Sequence, residues 1–215
     1  MSTRAGSTGV LVAAILAGLL GVARADVVVT YSRPFDLRIP AGAPNTRGRM
    51  DDAIIDVPSH LIITDLDVSI DLTHSCDFDL QLFLQSPSGS RVLLNMYDPL
   101  TKYFNGEDYR GTTFDDEADT PIEAGSAPFG GRYRPLEGSL LSTFDGQDAF
   151  GRWRLQVYDA FYYDTGRFHE FTLTITVPEP ATAALLLLAL PLLASTRPHR
   201  PGRGAGVREG RSVRT

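Results

Sequence analysis

Apolar and polar residues alternate along much of the middle of the chain, which shows almost no helical periodicity. Residues 61–72 alternate between two faces of a predicted strand. One face holds Ile63 and is otherwise polar. The opposite, apolar face is formed by Ile62, Leu66, Val68, Ile70 and Leu72. A repeat of two residues is typical of a strand that buries one face. We therefore predict a strand over residues 61–72.

Two further pairs of alternating segments predict hairpins. The first pair joins residues 78–84 to residues 91–94 through a turn of Ser, Pro and Gly. The second pair joins residues 153–158 to residues 168–176 through Asp-Thr-Gly at 164–166. In residues 78–84 and 153–158 every second residue is apolar, as expected for strands whose inner faces share one core.

Two shorter strands are predicted at residues 35–39 and Ala53–Val57. Many short strands with Gly, Pro and Asp turns and no helices indicate an all-β protein. The predicted fold is a jelly-roll-like antiparallel β-sandwich, a single domain over residues 26–176. Residues 97–139 form the least regular stretch, and a connection of this length is often functional. Its predicted anchors are Tyr103, Phe104, Phe114, Phe129 and Tyr133.

The first 25 residues are typical of a secretory signal peptide. Arg4 precedes an apolar run over residues 10–22, and Ala23-Arg24-Ala25 has the small-x-small pattern of a cleavage site. An uncleaved membrane anchor is the alternative. The run is short for a span of about 30 Å of hydrocarbon, so we expect cleavage after Ala25.

Residues 177–215 have the parts of a second sorting signal. Pro178, Glu179 and Pro180 precede an apolar segment over residues 181–194 and a tail with six arginines. This order resembles the PEP-CTERM signal of exported bacterial proteins. The resemblance implies processing by an exosortase and delivery to the cell surface or extracellular matrix. Before processing, the apolar segment would hold the chain in the membrane with the arginines on the cytoplasmic side.

The chain has 215 residues and a net charge of −6, but its charges are unevenly spread. Residues 26–177 hold 12 basic and 24 acidic residues. The negative charge of this segment argues against nucleic-acid binding. It suits the binding of calcium, which takes oxygen ligands. Cys76 is the only cysteine, which excludes an internal disulfide, a zinc site built on cysteines and a CxxC redox pair.

Short motifs along residues 26–176 resemble, in order, the P domain (Homo B) that follows the subtilisin-like catalytic domain in kexin- and furin-type proprotein convertases. The matching segments are 65–69, 71–74, 79–80, 86–89, 113–116, 127–129, 133–135, 141–144, 151–153, 157–159, 164–166 and 171–175. The resemblance implies a galactose-binding-like jelly roll that packs on a protease and supports its stability and calcium dependence. The same resemblance implies an association with serine-type endopeptidase activity and proteolysis, as in the rest of the family.

We nevertheless expect no catalysis from this chain. A subtilisin-like catalytic domain needs far more chain than lies outside residues 26–176, and its separate Asp, His and Ser blocks are missing. Such catalysis needs a nucleophile, an oriented base and an oxyanion hole placed together. His60, His74 and His169 lie in no recognisable catalytic motif, and His74 is expected to bond a neighbouring loop.

Two groups of acidic residues are the candidate calcium ligands. Asp115, Asp116 and Asp119 fall within five positions, and such close carboxylates repel one another unless a cation or an arginine compensates. The alternative is a turn in which Asp accepts backbone N–H groups. Asp159 and Asp164 would supply a second site, share the first, or be solvated acids of an ordinary loop.

The remaining candidates each have two interpretations. Asp77 and Asp79 either cap a hairpin or bind an ion. Cys76 is either a small packed side chain or an exposed thiol that reacts or pairs between chains. Trp153 is expected in the core. The aromatic residues either pack beneath the long connection or form a surface for a sugar or protein; they are Tyr103, Phe104, Tyr109, Tyr158, Phe161, Tyr162 and Tyr163.

The leading hypothesis is therefore a non-catalytic, calcium-stabilised P-domain module displayed outside the cytoplasm. It would act by binding matrix polysaccharide or a surface or secreted protein. The alternative is an accessory or regulatory partner of a separate subtilisin-like serine endopeptidase.

Overall fold

Ten β-strands account for most of residues 26–96 and 106–179, the part of the chain that the computed structural model describes. The strands are β1 Val27–Ile39, β2 Gly48–Arg49, β3 Ala53–Val57, β4 Asp65–His74, β5 Leu80–Gln85, β6 Arg91–Met96, β7 Tyr109–Phe114, β8 Phe129–Tyr133, β9 Gly151–Asp159 and β10 Gly166–Val177. Single 3₁₀ turns occur at Asp77–Asp79, Ile122–Ala124 and Leu141–Phe144. All described residues belong to one compact unit.

The strands form two five-stranded sheets that face each other across a common core. The first sheet has the order β1-β10-β4-β7-β8, and the second has the order β2-β9-β5-β6, with β3 also paired to β9. Neighbouring strands are antiparallel except for β7 and β8, which are parallel. The predicted all-β sandwich is confirmed.

The core is built from the alternate residues that the sequence pattern assigned to inner faces. Leu66, Val68, Ile70 and Leu72 of β4 are at most 1% exposed. Trp153 is fully buried, and its ring centroid lies 5.1 Å from that of Phe144 in an edge-on arrangement. The indole N–H donates to the Ala149 carbonyl at 2.9 Å. The prediction of Trp153 in the core is therefore confirmed.

The strand predicted over residues 61–72 begins later, at Asp65. Ile63 is buried and Ile62 is 53% exposed, the reverse of the predicted faces. The reason is that the segment before Asp65 bonds to a loop: the Ile63 N–H donates to the Gln147 carbonyl, and the Ile63 carbonyl accepts from the Gly146 N–H. This change of partner breaks the two-residue repeat.

The second predicted hairpin is wrong, although both of its strands exist. β9 pairs with β2, β3 and β5 in one sheet, whereas β10 pairs with β1 and β4 in the other. The connection between them crosses from sheet to sheet. Alternation identifies a buried face but not the neighbouring strand. The first predicted hairpin, β5 with β6, is confirmed.

The sequence pattern also missed parts of the first sheet. The strand predicted at residues 35–39 extends back to Val27 as the edge strand β1, whose side chains are mostly exposed. Residues 97–139 contribute β7 and β8, anchored by the buried Phe114 and Phe129 and the partly buried Tyr133.

Several predictions concern residues outside those that the structure describes. These are the cleavage site at Ala23 and Ala25, the aromatic pair Tyr103 and Phe104, Pro180, and the apolar segment and arginine tail that follow it. Within the described residues, no helix is long and apolar enough to cross a membrane. β10 ends at Val177, directly before Pro178.

Candidate functional site

The predicted calcium ligands separate into two groups at opposite ends of β4. Asp115 directly follows β7, whose Phe114 pairs with Val68 near the start of β4. Asp159 ends β9 and contacts His74, the last residue of β4. At about 3.3 Å per strand residue, the two ends are roughly 20 Å apart. Asp159 and Asp164 therefore cannot share an ion with Asp115.

The carboxylates of the first group point to separate partners. Asp115 accepts from Arg132 Nε at 2.8 Å and from the Glu117 N–H at 2.8 Å. Burial opposes ionisation of Asp115, but these two donors outweigh it and hold its pKa below the usual value. Asp119 is exposed, and its backbone carbonyl accepts from Arg134. Calcium at this turn stays a prediction, and the carboxylates as placed do not converge on one point.

Asp116 joins this turn to the next element. Its two carboxylate oxygens accept from the backbone N–H groups of Leu141 and Ser142 at 2.9 and 2.8 Å. These are the first residues of the 3₁₀ turn Leu141–Phe144, whose early N–H groups have no partner within the turn itself. Asp116 thus ties the loop after β7 to the loop before β9.

The second group brings together residues that are far apart in sequence. His74 and Cys76 lie at the end of β4, Asp79 precedes β5, and Asp159 and Asp164 lie at either end of the β9–β10 connection. One donor atom each of Cys76, Asp79 and Asp164 lies within 4.8 Å of the others. Asp164 also accepts from the Ser75 hydroxyl at 2.7 Å. The sequence identified these residues singly, and only the sheet pairing shows that they form one cluster.

His74 is the centre of this cluster. Its Nδ1 lies 2.6 Å from the Cys76 carbonyl and its Nε2 lies 3.2 Å from Asp159 Oδ2, with both side chains fully buried. The Cys76 backbone nitrogen also lies 3.2 Å from Nδ1, so Nδ1 faces both the N–H and the carbonyl of Cys76, while Nε2 faces the Asp159 carboxylate. Burial opposes protonation, but the hydrogen bonds to Asp159 and Cys76 outweigh it and raise the pKa of His74 above 6.5.

The Cys76 thiol is not arranged as a nucleophile, although Cys, His and Asp lie together. Its Sγ donates to Asp79 Oδ1 at 3.3 Å and not to the imidazole. Burial, followed by the contact with Asp79, raises the pKa of Cys76 to about 12. A reactive cysteine needs a lowered pKa and a base that accepts its proton. The cluster therefore lacks the arrangement of a cysteine hydrolase.

An open groove of about 490 Å³ lies beside the cluster. Its walls include His74, Ser75 and Asp108, together with the exposed Arg38. Gly166 sits where β10 approaches β4, and a Cβ there would lie 2.1 Å from the Thr73 carbonyl. Only glycine fits this close approach, which sets the position of the groove wall.

Burial divides the predicted aromatic surface. Tyr109 is fully buried and stacks on Phe129 at 4.9 Å, so it packs beneath the long connection. Tyr162 and Tyr163 are 50% and 88% exposed and contact each other. Tyr158 is half-buried on the outer face of the second sheet, where it meets Phe83 edge-on at 5.8 Å. Phe83 was not among the aromatic residues predicted for a surface, because no local signal in the sequence places it beside Tyr158.

Comparison with solved structures returned chains of low sequence identity. Two of them are the serine protease of Aeromonas sobria in complex with the chaperone and the same protease alone. Both are 16% identical to this chain, with TM-scores of 0.45 and 0.41. The alignments cover 72% and 70% of this chain but only 28% and 27% of theirs.

The chain therefore spans just over a quarter of the length of these solved chains. Comparison with curated proteins gave no match. The family model of the proprotein convertase P-domain matches residues 63–175, from the segment before β4 to the last residues of β10. This match covers more than half of the chain, and its limits fall within the sandwich. The chain belongs to the proprotein convertase P-domain family.

Proposed function

We propose that this protein is a non-catalytic P-domain module that is exported and acts by binding. The observation that carries the proposal is the P-domain match over residues 63–175, which spans most of the sandwich. In the described residues, Cys, His and Asp meet at one place, where a buried histidine contacts Asp159 and the Cys76 thiol donates to the Asp79 carboxylate. These contacts support a structural role for that cluster.

The test is a sedimentation assay with the purified chain and surface material from the producing cells. The proposal predicts that the chain co-sediments with this material and leaves an unstructured protein substrate intact in the presence of calcium. Proteolytic activity that co-purifies with the chain would contradict the proposal, and so would failure of the chain to bind any surface fraction. An unrelated acidic β-sandwich of similar charge serves as the control for non-specific adsorption.

Export and display rest on the two terminal signals. The C-terminal Pro178-Glu179-Pro180 with its apolar segment and arginine tail supports processing by an exosortase-type enzyme. Intact mass spectrometry of the protein recovered from the cell surface tests this step. A mass that ends near Pro180 is expected, and a mature protein that retains the arginine tail would contradict processing.

Calcium is the proposed stabilising ion, and the cluster at the end of β4 is its better candidate site. Asp79 and Asp164 face one another, whereas Asp115, Asp116 and Asp119 diverge. Burial raises the pKa of Asp79, and the negative charges of Asp159 and Asp164 raise it further, a cost that a cation would relieve.

Thermal unfolding with calcium and with excess chelator, with metal content read on the same sample, tests this site. A ligand that binds only the native state raises stability by RT ln(1 + [L]/Kd). We expect the shift to disappear in Asp164→Asn and to persist in Asp119→Asn, which removes an equal charge from an exposed turn. The same shift in both variants, or no metal in the wild type, would contradict the assignment.

A second candidate function is that of accessory partner to a separate subtilisin-like protease. The family itself favours it, because the matching model describes a domain of proprotein convertases. Affinity capture of the tagged chain from surface extracts would recover an active serine endopeptidase in that case. Recovery of the chain with polysaccharide and without a protease would favour the first function.

A further inference from the structure

The outer face of the second sheet carries a concentration of arginines in an otherwise acidic body. Five of the eleven arginines in residues 26–96 and 106–179 lie on or beside this face. They are Arg47, Arg49, Arg91, Arg152 and Arg154, and we call this surface the arginine face. Two carboxylates accompany them: Asp52 pairs with Arg49 and Arg154, and Asp56 pairs with Arg152. The face thus keeps a positive excess.

Strand pairing sets these side chains side by side. Tyr158 of β9 pairs with Arg49 of β2 on one side and with Gln81 of β5 on the other. Gln85 of β5 pairs with Arg154 and, on its other side, with Arg91 of β6. Four adjacent strands extend roughly 14 Å at about 4.8 Å per step. The arginine face is therefore a continuous strip across the sheet.

Two aromatic rings, Phe83 and Tyr158, lie against arginines at the centre of the strip. Arg91 Cζ lies 3.6 Å from the centroid of Phe83 and 5.6 Å from that of Tyr158, and Arg49 Cζ lies 5.8 Å from Tyr158 on its other side. A guanidinium stacked in this way keeps its N–H edge free. Within the described residues Arg91 has no carboxylate partner at ion-pair distance. Its N–H edge is thus available to an external carboxylate or sulfate.

The rest of the strip is polar, which distinguishes it from a typical protein interface. Gln81, Gln85 and Gln156 place amide groups between the arginines, and Gln81 accepts from Arg47. Among large hydrophobic side chains that are exposed in the described residues, only Met96 lies on these strands. Cores of protein interfaces are depleted in charge and rich in apolar groups. Planar cations suit a ligand that carries carboxylates, and the partly exposed amide of Gln85 suits its hydroxyls, whereas Gln81 and Gln156 are buried beneath them.

We propose that the arginine face binds an acidic polysaccharide, with stacked Arg91 binding a carboxylate or sulfate in bidentate fashion and Arg49, already paired with Asp52, adding positive charge beside it. Bidentate, charge-assisted hydrogen bonds are among the strongest polar contacts. Alongside, a groove of about 270 Å³ between β6 and the loop around Leu140 continues the strip past Phe83 and Arg91. This inference rests on the proposed binding function and names its ligand class.

The test is titration of the purified chain with oligogalacturonate, a polyuronate, and with dextran as a neutral polysaccharide of matched length. We expect binding to oligogalacturonate only, with affinity that falls as salt rises. Arg49→Gln with Arg91→Gln should weaken it by about tenfold or more. Arg91→Lys, which keeps the charge but loses the planar fork, should weaken it less. Arg33→Gln with Arg38→Gln, two exposed arginines on β1 of the other sheet, is the control that removes the same charge.

Each outcome is decisive for the proposal. Equal losses in the β1 control and in the double variant of Arg49 and Arg91 would mean that only net charge matters, which overturns the proposal. Absence of binding to oligogalacturonate, or binding that the double variant retains, also overturns it. Capture of an acidic protein through the same arginines without polyuronate binding would overturn the ligand class while leaving the proposed binding function intact. Unchanged unfolding midpoints in all variants exclude loss of fold as the cause.

Discussion

The buried pair of His74 and Asp159 makes the stability of this domain depend on pH in a defined direction. Both side chains are fully buried, and the Nε2–Oδ2 distance is 3.2 Å. The pKa of His74 is raised from 6.5 in the folded protein. Between pH 6.5 and that raised pKa, the folded state keeps a proton that the unfolded chain releases. The free energy of unfolding therefore falls as pH rises through this window, by up to about 1.4 kcal/mol per pH unit.

The perturbation that tests this reasoning is His74→Gln. Glutamine cannot replace both contacts of the imidazole, and it carries no charge. Asp159 is therefore left as a buried carboxylate without its cation. Removing one partner of a buried ion pair costs about 3–5 kcal/mol. We expect a loss of this size at pH 6.5, and a smaller difference from the wild type above the raised pKa, where the wild-type ring is itself neutral.

Urea unfolding of the two proteins from pH 6 to pH 9 measures both quantities. His60→Gln is the matched control, because His60 lies 2.6 Å from Asp148 but is 72% exposed. Its variant should keep the wild-type pH slope. The reasoning would be refuted if wild-type stability rose between pH 6.5 and 8.5, or if His74→Gln kept the wild-type slope.

Three further predictions follow from single contacts. Trp153→Ala should lower the free energy of unfolding by about 3–5 kcal/mol, since it leaves a cavity beside a fully buried ring; a loss under 1 kcal/mol in urea unfolding would contradict this. Asp116→Ala should cost about 1–2 kcal/mol with or without calcium, because it removes the acceptor of two backbone N–H groups; a loss seen only with calcium would instead favour an ion site. Cys76, with its pKa near 12, should react with iodoacetamide at pH 8 at least about tenfold more slowly in the folded chain than in urea; equal rates would contradict its packed position.

The sequence predicted the fold class because alternation is a local property of each strand. The apolar residues of β4 and β10 face inwards, as their alternation predicts, and so do those of β5 and β9 except for Phe83 and Tyr158. Strand partners depend on the remainder of the chain, and for that reason β9 and β10 were assigned to one hairpin. Strand β1 was largely missed because an edge strand that is exposed on most positions carries a weak pattern.

The candidate site was predicted in parts and not as a whole. Asp159, Asp164, Asp79, His74 and Cys76 were each identified from their residue types, but their meeting depends on the end of β4 lying beside the ends of β5 and β9. The arginine face was not predicted at all. Its residues come from four strands, and no local spacing in the sequence reports that they are neighbours.

The claim that this P-domain module binds without cleaving is tested most directly by counting new peptide termini. The purified chain is incubated with an unfolded protein pool and calcium, and the termini are counted by mass spectrometry against a sample without the chain. The account predicts equal numbers in the two samples. New termini at defined sequences, increasing in proportion to the amount of purified chain, would contradict it.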